Sequence, residues 1–233
     1  MEIKILASGS SGNAYFLSDG VTPLLLEAGI AYKEIQRGLD FKISQLAGCL
    51  ISHEHLDHSK AVKGMIQAGV DCYMSQGTAE ALKVNGHRVN IIQPRWQFKL
   101  NTWEILPFEI EHDAFQPFGY LLASGKNKVL FATDTAYLRW KFVGLTHILI
   151  GVNYSEDILK ENVRNGAIAR PLKQRIMNSH MSLETLEAFL RANDMTQVQG
   201  IWLLHLSDGN ADTGVFKKRI QEITGKPVYF GKE

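Results

Sequence analysis

Short segments in which apolar residues alternate with polar ones, or run together, recur along the chain, and this pattern is typical of β-strands. Segments of helical period lie between them in the middle and C-terminal parts of the sequence. The predicted strands are 2–7, 14–17, 23–27, 49–51, 70–74, 89–92, 97–100, 103–111, 118–123, 128–132, 147–152, 200–204 and 228–230. The predicted helices are 32–38, 59–68, 76–83, 182–190 and 211–224.

The order of these elements favours one fold class, an α/β protein. Strands come first, and strands and helices then alternate in two successive series, which favours two sheets packed face to face with helices outside. A doubly wound dinucleotide-binding sheet is disfavoured because no glycine-rich loop connects the first strand to a helix. The 233 residues contain no linker or repeat, so the sequence predicts a single domain spanning 1–233.

Composition narrows the choice of partners and compartment. With 45% hydrophobic and 21% charged residues, the chain resembles an ordinary globular protein. A net charge of +1 gives no overall attraction to nucleic acid or membrane, so any polyanion would bind a local patch. Cys49 and Cys72 lie in apolar runs, and neither a membrane span nor a signal peptide is evident. The sequence therefore predicts a cytoplasmic protein without membrane contact, and it leaves the oligomeric state open.

The densest group of chemically active side chains is the segment Ser52–His58, which reads SHEHLDH. If this segment is extended, His53 and His55 point to the same side. Asp57 and His58 then fall where the chain turns into the next helix and can face a second point. Imidazole nitrogens and carboxylate oxygens suit zinc and neighbouring first-row metals. A solvated polar loop is the alternative, and residues further along the chain argue against it.

Three more potential ligands, His112, Asp134 and His205, lie at or just beyond the ends of predicted strands. Each alone is more typical of an exposed or capping side chain, so the metal prediction depends on their joint occurrence. Two ions about 3.5–4 Å apart can share a hydroxide and polarise a substrate oxygen. The predicted sets are His53, His55 and His112 for one ion, and Asp57, His58 and His205 for the other, with Asp134 as a bridge.

These motifs in this order resemble the metallo-beta-lactamase superfamily over essentially the whole chain. The resemblance implies an αββα four-layer sandwich that binds two divalent metal ions. A nitrogen-rich ligand set favours zinc, with manganese or iron as alternatives. The motif is specific for the fold and much less so for the substrate.

Two further segments resemble narrower groups within that superfamily. The opening run 6–13, LASGSSGN, together with His112 resembles the YycJ/WalJ-like branch, which is associated with nucleic-acid hydrolysis. The run 178–182, NSHMS, precedes a helix and then the strand to His205, and it resembles the arrangement in tRNA-processing ribonuclease Z. This resemblance implies that His180 donates a proton to the leaving group and that His205 binds metal.

Two details of the early strands concern the surroundings of the site. The family usually has an aspartate at the end of an early strand, where this chain has Glu27. The longer side chain predicts a carboxylate that lies behind a ligand imidazole and is hydrogen-bonded to it. In the small-residue turn, Ser10, Ser11 and Asn13 are predicted to contact a terminal phosphate through an anion-binding backbone. A plain hairpin turn is the alternative.

The leading hypothesis is a phosphodiesterase, an exonuclease-like enzyme acting on DNA or RNA. The bridging hydroxide would attack phosphorus, Asp57 would hold or accept its proton, and His180 would protonate the leaving oxygen. The basic segment 160–175 could follow the phosphates of a strand, or it could be a solvated helix face. Two alternatives remain open: an ester, thioester or lactam hydrolase of the glyoxalase or lactamase type, and a non-catalytic metal-stabilised binding module.

Overall fold

The computed structural model describes residues 1–231. They fall into two compact units. Unit 1 comprises 1–109 and 114–127, and unit 2 comprises 110–113 and 128–231. Within the described residues, no helix combines the length and hydrophobicity needed to cross a bilayer.

Unit 1 contains strands of both sheets. Its elements are β1 (Glu2–Ala7), β2 (Ala14–Ser18), β3 (Pro23–Leu26), α1 (Tyr32–Gly38), β4 (Gly48–Leu50), α2 (Leu56–Ser59), α3 (Val62–Gln67), β5 (Cys72–Met74), α4 (Gln76–Leu82), β6 (Val89–Ile91), β7 (Phe98–Leu100), β8 (Trp103–Glu109) and β9 (Phe118–Ser124). The first sheet has the order β1-β2-β3-β4-β5-β6, with β3 to β6 parallel. From the second sheet, unit 1 contains the antiparallel strands β7, β8 and β9.

The central strands β3 and β4 of the first sheet are almost fully buried, as parallel strands usually are. Leu25 and Cys49 pack in one apolar cluster with Ile35 of α1 and Met65 of α3. Burial of each large side chain of this kind contributes roughly 1.5–3 kcal/mol. This core fixes the positions at which β3 and β4 end, and the predicted ligand segment begins directly after β4.

Unit 2 contains four parallel strands and four helices. Its elements are β10 (Asn127–Ala132, whose first residue belongs to unit 1), β11 (His147–Gly151), α5 (Glu156–Arg164), α6 (Arg170–Ser179), α7 (Leu183–Ala192), β12 (Gly200–Leu204), α8 (Thr213–Thr224) and β13 (Val228–Phe230). The strand order is β13-β12-β11-β10. The carboxyl ends of parallel strands meet at one edge of a sheet, where α/β proteins place their sites. Asp134, Asn153 and His205 follow these ends.

Most predicted elements agree with the structure, and the differences have local causes. The predicted cap of α7 is confirmed, because Ser182 Oγ accepts the Thr185 N–H at 3.1 Å. The predicted helix 59–68 instead begins at Leu56 as α2 and is interrupted before α3. The segment that the sequence identified only as polar and basic forms α5 and α6. The mostly polar sequence of α6 hides its helical period, and Pro171 in its first turn is favourable for a helix start.

Candidate metal centre

In unit 1, the chain between β4 and α2 brings the imidazoles of His53 and His55 together. His53 is fully buried, and its Nδ1 lies 2.8 Å from Ser52 Oγ. Its Nε2 lies 3.2 Å from Nδ1 of His55. Two nitrogens bound to one tetrahedral zinc, each at about 2.0–2.1 Å, lie about 3.3 Å apart. The spacing of these two nitrogens therefore fits a shared ion.

Asp57 and His58 lie in the single turn of α2, which begins directly after His55. Asp57 Oδ2 is 3.4 Å from His58 Nε2. The His58 ring is buried, with its centroid 4.2 Å from that of His53. Ser59 Oγ closes this turn because it donates to the carbonyl of His55 at 2.9 Å. Unit 1 thus brings together all four motif residues predicted to bind metal.

Glu27 lies on the opposite side of the His58 ring from Asp57. Its side chain is fully buried, and both carboxylate oxygens lie 3.3 Å from the Ser52 N–H, which donates to them. Oε2 is 3.7 Å from His58 Nδ1, which is longer than a hydrogen bond. Burial raises the pKa of Glu27, and the neighbouring His58 and Ser52 act in the opposite direction. Its φ of 65° is a strained value for a residue with a side chain, and such strain clusters at functional sites.

Asn13 connects the small-residue turn to the motif. Its side chain is fully buried, and Nδ2 donates to the carbonyls of Gly9 and Asp57, each at 3.1 Å. The same nitrogen is 3.2 Å from His58 Nε2. Oδ1 accepts the Gly9 N–H at 3.0 Å. The amide is therefore engaged inside the protein, beside two predicted ligands.

The tip of the turn, at Ser10 and Ser11, is exposed. The chain passes very close to the segment after β3 here: a Cβ at Gly12 would lie 2.6 Å from the carbonyl oxygen of Gly29. Gly12 also has a φ of 150°, which favours glycine. The turn therefore combines a closely packed backbone with two exposed serine side chains. Contact of Ser10, Ser11 or Asn13 with a phosphate stays a prediction.

In unit 2, one oxygen of the Asp134 carboxylate is surrounded by three histidines. Asp134 Oδ2 is 3.4 Å from Nε2 of His180, 3.6 Å from Nε2 of His205 and 3.8 Å from Nε2 of His112. All three distances exceed those of an N–H···O hydrogen bond, about 2.7–3.2 Å. Donor atoms of His112, Asp134 and His180 lie within 4.8 Å of one another. This arrangement of nitrogen and oxygen donors is suited to a divalent metal ion.

The backbone fixes which nitrogen of His112 is available as a ligand. Its Nδ1 lies 2.8 Å from the carbonyl oxygen of Ser179. A carbonyl only accepts, so Nδ1 carries the proton, and in the neutral ring Nε2 has the lone pair. Burial lowers the pKa of His112, against the opposing effect of Asp134, and favours this neutral form. A ligand histidine commonly has its other nitrogen held in this way.

His180 follows α6 and has its tautomer fixed by Ser179. Ser179 Oγ donates its only proton to the carbonyl of Arg175 at 2.8 Å. It must therefore accept from His180 Nδ1, which is 2.8 Å away. In the neutral ring, Nε2 then faces Asp134 with its lone pair, and in the imidazolium it carries a proton. His180 is thus placed both to bind a metal and to donate a proton.

Asn153 is a neighbour of the site that the sequence did not reveal. Its Nδ2 donates to the carbonyl of His205 at 3.1 Å and lies 3.3 Å from Nδ1 of that ring. His205 has a φ of 53°, and the Asn153 contact holds this unusual backbone. The sequence does contain a pattern that could have identified Asn153: it comes two positions after the buried strand β11, as Asp134 comes two positions after β10.

In the described part of the chain, His87 and His147 are not among the groups of residues that could hold a metal ion, and several basic residues of the segment 160–175 form ion pairs. His147 opens β11 and stacks on Trp202, with ring centroids 5.8 Å apart, and His87 is exposed. Several basic side chains of the segment have acidic partners, which reduces the charge available to phosphates. The ion pairs are Lys160–Glu156 at 2.9 Å, Arg164–Glu161 at 3.2 Å and Arg175–Asp113 at 3.0 Å.

Comparison with known proteins identifies similar chains. The model of the beta-lactamase superfamily domain matches residues 28–206. Exodeoxyribonuclease WalJ of Streptococcus pneumoniae is 32% identical over 225 residues, covering 89% of this chain and 82% of that protein. Exodeoxyribonuclease YycJ of Bacillus anthracis is 25% identical over 225 residues, covering 90% and 84%. The metallo-beta-lactamase fold protein YhfI from Bacillus subtilis has a TM-score of 0.75 at 13% identity, covering 98% of this chain and 95% of that one. These similarities confirm the predicted α/β fold, with two sheets and flanking helices.

Proposed function

The chain belongs to the beta-lactamase superfamily, and from that premise we propose that it is a metal-dependent exodeoxyribonuclease. The observation that carries the proposal is the position of Asp134 Oδ2, 3.4–3.8 Å from Nε2 of three histidines. DNA is the proposed substrate because two relatives, one of them 32% identical, are exodeoxyribonucleases. In this proposal the enzyme hydrolyses phosphodiester bonds from a DNA end.

We propose two divalent metal ions as its cofactors, with zinc as the metal. The motif order of the superfamily and the Nε2 lone pair of His112, whose Nδ1–H donates to the Ser179 carbonyl, support this proposal. Zinc fits an imidazole-rich donor set best. The ions would lower the pKa of water and neutralise charge on the phosphoryl oxygens. The proposed ligands are His53, His55 and His112 for one ion and Asp57, His58 and His205 for the other, with Asp134 between them.

The chain's own groups would move the protons of the reaction. His180 in its imidazolium form has a proton on Nε2, stabilised by Asp134 Oδ2 at 3.4 Å, and would give it to the departing oxygen. Asp57 is partly exposed, with 26% of its side chain accessible, and would accept a proton from water. Ser10 and Ser11 at the turn tip would contact a terminal phosphate.

We also propose that the whole chain forms one hydrolase domain and that it acts in the cytoplasm. The family model spans residues in both units, which supports 1–233 acting as one hydrolase domain. The two cysteines, Cys49 and Cys72, are buried as free thiols. Free thiols favour a reducing compartment, and we propose the cytoplasm.

End-labelled oligonucleotides test the proposal. Chelator-treated protein is given Zn²⁺ or Mn²⁺ and incubated with single- or double-stranded DNA or RNA, and with covalently closed circular DNA. We expect progressive shortening of linear DNA from one end, no cleavage of the circle, and no activity in Asp134→Asn. Hydrolysis of nitrocefin or a glutathione thioester, with all nucleic acids intact, would instead identify an acyl hydrolase.

A further inference from the structure

Phe115 is an aromatic residue that the proposed mechanism does not use. Its side chain is 81% exposed, the largest value among the exposed large hydrophobic residues of the described chain. Exposure of a complete aromatic ring forgoes the stabilisation that burial gives. Phe115 follows the predicted ligand His112 by three positions.

The backbone around Phe115 is anchored at three points of unit 1. The Phe115 N–H donates to Glu54 Oε1 at 2.9 Å, and the Phe118 N–H donates to the Ser52 carbonyl at 3.0 Å. Between them, Gln116 Oε1 accepts the Gly77 N–H at 2.9 Å. The ring is therefore exposed on a fixed backbone and not on a loose loop.

The loop that carries Phe115 also packs closely against α4. A Cβ at Gly77 would lie 2.8 Å from Cβ of Gln116 and 3.3 Å from Cβ of Phe115. The loop is thus in direct contact with the first turn of α4, and glycine is what allows this approach. Most of the Phe115 ring remains accessible to a ligand.

The anchors of Phe115 belong to the ligand segment. Glu54 lies between His53 and His55, and Ser52 is the residue whose hydroxyl contacts the His53 ring. Leu56, directly after His55, is 75% exposed. Leu56 is thus an exposed apolar residue within the motif segment, and the Phe115 backbone is hydrogen-bonded to that segment.

We propose that Phe115 is a stacking platform for the terminal base of the DNA strand, with Leu56 as a second apolar contact. This inference rests on the proposed function and deepens it. A nucleobase fits a single flat ring surrounded by polar groups such as Glu54 and Gln116, whereas a protein partner needs a continuous apolar patch. Stacking is independent of base identity, so it contributes to the binding of every strand end.

The test separates stacking from chemistry by removing the base. Oligonucleotides carry either a normal or an abasic terminal nucleotide. We expect Phe115→Ala to lower kcat/KM about 5- to 150-fold on the normal end, which corresponds to the loss of one aromatic–base stack. We expect no change on the abasic end. Phe115→Trp should retain the preference for a normal end.

Phe41→Ala is the matched control, because Phe41 is 72% exposed and lies after α1, outside the motif segment. It should behave as the wild type on both the normal and the abasic end. An equal loss of kcat/KM in Phe115→Ala on normal and abasic ends would overturn the platform, since it would indicate a purely structural effect. No loss on either end would overturn it as well.

A binding measurement distinguishes failure of this inference from failure of the proposed function. A terminal 2-aminopurine should lose fluorescence on binding to the wild type and Phe115→Trp, and not on binding to Phe115→Ala. Quenching without DNA digestion would refute the exonuclease and leave the platform standing. Digestion of the labelled DNA without quenching would refute the platform alone.

Discussion

The side-chain amide nitrogen of Asn13 lies 3.2 Å from Nε2 of His58. The same nitrogen donates to the Asp57 carbonyl at 3.1 Å, and the Asn13 backbone N–H donates to that carbonyl at 2.7 Å. One residue of the small-residue turn therefore fixes the peptide and the ring of two adjacent proposed ligands. This contact gives Asn13 a role in positioning the ligands, distinct from the phosphate contact that the sequence predicts.

Replacement of Asn13 distinguishes these two roles. We expect Asn13→Ala to weaken metal affinity about 10- to 100-fold, the usual effect of losing a group that orients ligands, and to leave KM for DNA unchanged at saturating metal. Competition against a chromogenic chelator measures the affinity. Asn13→Asp keeps the size but loses both amide donors, so it should show a similar loss. A raised KM with unaltered metal affinity would favour the phosphate contact instead.

His180 is expected to act through a proton on Nε2. Because Ser179 holds its Nδ1, His180→Gln removes the only proton that this side chain can aim at Asp134 and the leaving oxygen. We expect kcat on DNA to fall about 10²–10⁴-fold, the usual contribution of a general acid. Bis-p-nitrophenyl phosphate has a leaving group that needs no proton, so its turnover should change little. Equal losses on both substrates would indicate that His180 binds metal instead.

The sequence predicts the ligands, whereas most of the groups that contact them emerge only from the structure. His53, His55 and Asp57 stand out because several ligand-type residues occur together directly after an apolar run. The partners of these residues depend on contacts between distant parts of the chain, which no local pattern encodes. His112 and Ser179 are 67 positions apart, and Asn153 and His205 are 52 apart.

Elements of the fold were also predictable where the deciding residues lie close together in the sequence. The cap of α7 was predictable because Ser182 and Thr185 are neighbours along the chain. Helices α5 and α6 were not predicted, because polar and charged residues make up most of both sequences. The prediction of seven metal ligands, in contrast, depends only on residue types and their order along the chain, and their binding of metal stays a prediction.

Metal removal should lower both activity and stability. An ion present at 100 times its Kd and bound only by the folded state stabilises it by about 2.7 kcal/mol, which for a chain of this size raises Tm by about 5–11 °C. We expect Zn²⁺ added to chelator-treated protein to produce a shift of this order in a thermal melt. Asp134→Asn should reduce the shift, and His87→Ala, which replaces an exposed histidine, should not. A wild-type Tm that is independent of zinc would contradict the metal centre.

His147 is expected to make the fold sensitive to acid. Burial lowers the pKa of His147 to about 4, below its ordinary value of 6.5. Between pH 6.5 and 4 the unfolded state therefore binds more protons than the folded state, so the free energy of unfolding decreases as pH falls through this window and changes no further below it. The decrease due to this one group amounts to at most about 3 kcal/mol. His147→Phe keeps a ring beside Trp202 and removes the titration. Urea unfolding from pH 7 to 4 should therefore show a shallower loss of stability in the variant, and parallel curves for the two proteins would assign the acid sensitivity to other groups.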